Sequence, residues 1–178
     1  MSFTGPSLRD RLRTGTRLAQ DGVERAQRRF DFARPGHIGA FLAAQRDAVV
    51  TLRGVASELE DALQAACDRL DADLAELGHG PGPKTYPAPR SDHRVACGFV
   101  WHSQQLALRT MTRRLPDAAT RGLRFLTHPR NVSAWRVLCD ELERTPGYEG
   151  DATLAVTATN DRLALLETIH MDHARACA

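Results

Sequence analysis

Residues 12–24 read LRTGTRLAQDGVE and residues 97–115 read CGFVWHSQQLALRTMTRRL. In both, apolar side chains return every three or four positions between Arg, Gln and Thr, the rhythm of a helix with one buried face. Around the first stretch, Ser7 is the predicted N-cap of a helix running toward Arg28, with Leu8, Leu12, Leu18 and Val23 as its apolar stripe. Around the second, Ser91 or Asp92 caps a helix over residues 91–115 that Pro116 closes.

The same rhythm extends through the rest of the chain. Arg34-Pro35-Gly36 breaks it, and Ile38, Phe41, Leu42, Val49 and Leu52 then mark a second helix. Apolar periodicity continues through Val55, Leu59, Leu63, Ala66, Leu70, Leu74 and Leu77, as one bent helix or two joined near Gly54. Gly78 to Pro89 is the one clear loop. Short helices are expected at 117–126 and 131–144, the latter capped by Asn131 or Ser133. Thr145-Pro146-Gly147 turns the chain into a last helix ending near Ala176. Alternating runs of β-branched and aromatic residues do not occur. The expected architecture is all-α, a single domain over 1–178 with about six to eight helices.

Composition narrows the function classes. Lys and Arg number 24 against 22 Asp and Glu, a net charge of +2, which gives no clustered basic footprint for nucleic acid. No apolar run approaches the length that crosses a bilayer, so no membrane association is expected. Cys67, Cys97, Cys139 and Cys177 are scattered with no paired spacing, and no basic-then-apolar leader opens the chain. Reduced thiols in a cytoplasmic protein are the expectation.

Taken in order, several segments resemble the bacterial biliverdin-producing heme oxygenase family. Leu12, Arg13, Thr16 and Glu24 match its proximal-helix pattern L-R-x-x-T-x-x-x-H-x-x-x-E. Residues 97–115 resemble its distal helix, and FDFARPGHIGAFLAAQR, RLDADLAELG and FLTHPRNVSAWRVLCDELE resemble three further segments. The resemblance implies a heme-oxygenase-like helical bundle with heme held between the first helix and the distal helix. It also implies oxygen-dependent cleavage to biliverdin, carbon monoxide and iron, with electrons from a reductase or ferredoxin and a linkage to biliverdin-using phytochromes.

The residues at the family's key positions differ. Gln20 occupies the slot of the imidazole that grips iron, and a carboxamide oxygen is a poor ligand for heme iron. Ser103, Ala107 and Leu108 stand where the distal helix has three glycines, whose lack of a Cβ lets backbone approach a ligand. His102, where the family has Glu, is a further distal-pocket candidate. Arg13 and Arg17 are candidates for heme propionates, against the plainer reading of a solvated helix face. The expectation is therefore a tetrapyrrole-type pocket with heme cleavage lost or altered, a pseudoenzyme. The alternatives are a non-catalytic binding or interaction protein on the same scaffold and, third, a non-heme iron oxidase.

The last alternative rests on Glu167, His170 and His173, an E-x-x-H followed one turn later by a second imidazole. Its partner carboxylates would come from Glu24, Glu58 or Glu60. The competing reading sets both histidines against the negative end of their helix. Asp140, Glu141 and Glu143 read as a wet surface, and Trp101 and Trp135 as core anchors.

Overall fold

The structure, a computed structural model, describes residues 5–53, 57–80, 85–91, 93–148 and 150–177. Among these residues it is all-helical. Eight α-helices run α1 Leu8–Gly15, α2 Arg17–Gln27, α3 His37–Arg53, α4 Glu60–Leu77, α5 Arg94–Thr112, α6 Arg124–Thr127, α7 Val132–Arg144 and α8 Gly150–Ala176. A 3₁₀ turn at Ser57–Leu59 precedes α4. The sole strand-like contact among the described residues is an isolated bridge between Ser7 and Pro146.

The expected caps at Ser7 and Asn131 are present. The Ser7 hydroxyl accepts from the Asp10 amide at 3.2 Å, and Asn131 Oδ1 accepts from the Ala134 amide at 2.9 Å. Each satisfies one of the donors a helix start leaves open. Other boundaries differ from expectation. The first helix is two helices, broken at Thr16, whose hydroxyl donates to the Leu12 carbonyl at 2.8 Å. The break turns the apolar stripe, so Leu18 is 84% exposed while Val23 and Ala26 are buried. α5 is capped by His93, whose Nδ1 accepts from the Val95 amide, rather than by Ser91. Asp92, the other cap candidate, lies outside the described residues, as do Gly54 and Val55 at the expected join and residues 81–84 of the central loop. The helix expected over 117–126 shrinks to the single turn of α6.

α8 is the central strut. At 1.5 Å per residue its 27 residues span about 40 Å, and it packs against α1, α2, α3 and α5. A helix contacted on so many sides cannot keep one polar face, and α8 buries Ala155, Ala158, Leu163, Leu166 and Ile169 along with Thr159, Arg162 and His170. The main core joins α3, α4, α5 and α8 around Phe30, Phe41, Leu63, Leu70 and Leu108. A smaller cluster of Leu8, Leu12, Val95, Phe99, Leu142 and Ala155 ties the start of the chain to α5, α7 and α8.

α2 and α8 approach closely at Gly22, where a Cβ would lie 2.8 Å from the carboxyl carbon of the Glu167 side chain. That approach leaves α2 held chiefly by α8. Between α2 and α5 a cleft remains.

Candidate functional site

The cleft lies between the two helices that the sequence singles out. Glu24 and Gln27 of α2 and the following Arg28 face Ala107, Thr110 and Met111 of α5 and Arg114 just beyond it, across about 310 Å³. Its root is bridged by Gln27 Nε2 donating to Gln104 Oε1 at 3.1 Å. Ala107 and Met111 give it an apolar floor. Two guanidiniums stand at its rim. Arg28 pairs with Glu24 at 2.9 Å, and Arg114 donates to the Phe30 carbonyl at 2.7 Å with its guanidinium carbon 5.5 Å from the Phe32 ring centroid. Planar forks held in this way suit carboxylates.

The sequence-predicted residues divide around this cleft. Ala107 lines it. Gln20 lies one turn before Glu24 on the same helix face, half-buried, with Nε2 donating to the Thr16 hydroxyl at 2.9 Å. Leu108 is buried in the main core, and the Ser103 hydroxyl donates to the Val100 carbonyl at 3.1 Å. His102 lines a separate pocket, beside Arg69 and Trp135. Arg13 is exposed and paired with Asp10 at 3.0 Å, and Arg17 is exposed; neither lines the cleft. The arginines that line the cleft are Arg28 and Arg114. The sequence signal for these residues was present: 24, 27 and 28 on one helix, and 107, 110, 111 and 114 on the other, each follow the spacing of a single helix face.

The three α8 residues nominated as metal ligands are engaged separately. His170 is fully buried between Phe30 and Phe41, and its Nδ1 lies 2.7 Å from the Leu166 carbonyl. A carbonyl only accepts, so Nδ1 carries the proton and the bare Nε2 accepts from Gln45 Nε2 at 2.8 Å. Burial drives this imidazole down to about 4, the Leu166 contact opposing and His173 adding to the fall. His173 Nε2 sits 2.8 Å from Asp47 Oδ2, while Glu167 faces Gly22 on α2. Among the described residues no group of three or more His, Cys, Asp or Glu could hold a metal ion. Nearby, burial first and then Asp172 and Asp47 push the Tyr86 phenol up to about 12.

Trp101 belongs to the main core as expected, whereas Trp135 is half-buried beside Phe99 at 5.7 Å between centroids. Of the acidic run, Glu141 pairs with Arg94 and Glu143 with Arg9. Three of the four cysteines, Cys67, Cys97 and Cys139, are buried, and Cys177 is half-buried. No helix among the described residues is long and apolar enough to cross a membrane. Neither a protein-family model nor a curated protein matches the chain.

Proposed function

We propose that this chain is a non-catalytic binding protein that takes a flat, acid-bearing ligand of tetrapyrrole type in the cleft between α2 and α5. The observation that carries the reading is the cleft itself, with an apolar floor of Ala107 and Met111 beneath a rim bearing Arg28 and Arg114. Its volume of about 310 Å³ falls at the lower end of small-ligand sites, so an extended tetrapyrrole would seat one edge there. A carboxylate on that edge would meet the Arg114 guanidinium, Arg28 being already paired with Glu24.

The residues present do not fit a ligated heme. No His, Cys or Tyr lines the cleft, and the Met111 sulfur already accepts from Arg114 Nη1 at 3.2 Å. Gln20 is tied to Thr16 and offers only a carboxamide. The likeness to heme oxygenases therefore supports a shared scaffold and ligand class, without its cleavage chemistry. An absorbance titration with biliverdin tests this. Saturable one-to-one binding is expected in the native protein, weakened about tenfold by Arg114→Ala through loss of one charge-assisted contact. Equal binding by both proteins, or no saturation, would overturn the assignment.

A further inference from the structure

On another face of α5 from the cleft lies a second pocket of about 210 Å³, walled by α4, α5, the 128–131 segment and the start of α7. Its charge is one-sided. Arg69, His102, His128 and Arg130 line it, and among the described residues no Asp or Glu does. An adjoining groove of about 600 Å³ shares His128, Pro129 and Arg130 and adds Arg109 and Arg113, again without a carboxylate.

Several arginines of this protein are matched by an acid, as Arg46 is by Asp71 and Arg124 by Asp73 and Glu76. Arg69 and Arg130 make no such ion pair among the described residues. Arg69 Nε is buried and has no hydrogen-bond partner. Arg130 donates only to neutral acceptors, Gln105 Oε1 at 2.6 Å and the Leu126 carbonyl at 2.9 Å. The nearby Asp73 carboxylate hydrogen-bonds the Arg124 side chain and the amides of Arg124 and Phe125, and with Asp68 offsets only part of the desolvation of Arg69. Partly desolvated cations gathered without a hydrogen-bonded ion-pair partner are unfavourable, and a buried donor left unmade is costly. An anion would relieve both. Trp101, Leu106 and Trp135 form the rest of the wall, an apolar and aromatic surface beside the cations.

We propose that this pocket binds a small aromatic oxyanion, a ring bearing a phosphate or carboxylate, with the acid on Arg69 and Arg130 and the ring against Trp101 and Trp135. The electrostatics agree: burial, then Arg69 and Arg109, bring the Arg130 guanidinium down to about 10, and burial with Arg69 and Arg130 lowers His128. Both would recover on meeting an anion. The site lies apart from the α2–α5 cleft and does not depend on what fills it.

The chain has two tryptophans and both line this pocket, so intrinsic fluorescence reports on it directly. Phenyl phosphate, benzoate, inorganic phosphate and phenol are titrated into the full chain at low and at moderate salt. Phenyl phosphate or benzoate is expected to saturate the fluorescence change, with affinity falling as salt rises and phenol silent; whichever saturates identifies the acid. Arg69→Met is expected to weaken binding at least tenfold while leaving the melting temperature unchanged or raised, because Arg69 Nε has no partner to lose. A melting temperature that falls by several degrees would make Arg69 structural and overturn the proposal. So would equal affinity of native and Arg69→Met proteins, equal response to phenol, or no response to either organic anion at millimolar concentration. Inorganic phosphate binding as tightly as phenyl phosphate would overturn the role of the two rings.

Discussion

His170 lets acid be used as a measured perturbation of the core. In the unfolded chain a histidine takes up its proton near 6.5, whereas here burial delays it to about 4. Between those values the unfolded state holds a proton that the folded state refuses, so stability present above about 6.5 is lost as pH falls toward about 4. A span of about 2.5 pH units at about 1.36 kcal/mol each gives about 3 kcal/mol. That is a sizeable share of the roughly 5–15 kcal/mol that holds a domain together. His170→Phe removes the titration and keeps an aromatic ring between Phe30 and Phe41. At neutral pH the variant is expected to be less stable by about 1–3 kcal/mol, because the Gln45 amide loses its acceptor. Urea unfolding followed by far-ultraviolet circular dichroism, run from pH 7.5 to 4.5 on both proteins, separates the two effects. Carboxylate titration is common to both. The stability gap is therefore expected to shrink with acid and to close or reverse near pH 4.5. Parallel curves with a constant gap would refute the buried neutral imidazole.

Two further substitutions probe how the fold is tied together. Asp73→Ala strips the acceptor from the Arg124 and Phe125 amides at 3.0 and 2.8 Å, and is expected to cost about 3 kcal/mol in urea unfolding, with Asp73→Asn costing less. Gly147→Ala would set a Cβ 2.7 Å from the Ser7 carbonyl carbon and 2.8 Å from the Pro6 oxygen. Both are backbone atoms, so a loss of about 1–3 kcal/mol is expected, read as a lower melting temperature.

Much of this architecture was legible before any coordinates. Thr145-Pro146-Gly147 stops α7 and Arg34-Pro35-Gly36 directly precedes α3, local signals that need no tertiary information, and Ser7 and Asn131 cap α1 and α7 the same way. The break at Thr16 was hidden because helical phase resumes at once on its far side. Only packing on α7 and α8 decides that α1 and α2 diverge there. His93 as a cap was missed because an imidazole seldom serves where Ser, Asp or Asn usually does. The helix expected over 117–126 begins only at Arg124, where Asp73 of α4 accepts from the Arg124 and Phe125 amides, a contact no local pattern announces.

The candidate site divides in the same way. Which residues line the gap between α2 and α5 is set by helix rotation, which the break at Thr16 changes. Arg13 and Arg17 precede the lining residues and point to solvent, while Arg28 and Arg114 supply the cations. The basic pocket on another side of α5 was invisible to charge counting, since a net charge of +2 conceals a local surplus.

A hemin titration of the native protein beside Gln20→His tests the central claim most directly, because residue 20 shares the helix face that borders the cleft. Native protein is expected to give a weak, broad Soret band, and Gln20→His a sharp imidazole-ligated one with a stoichiometric end point. A sharp histidine-type band in the native protein, or no difference between the two, would contradict it.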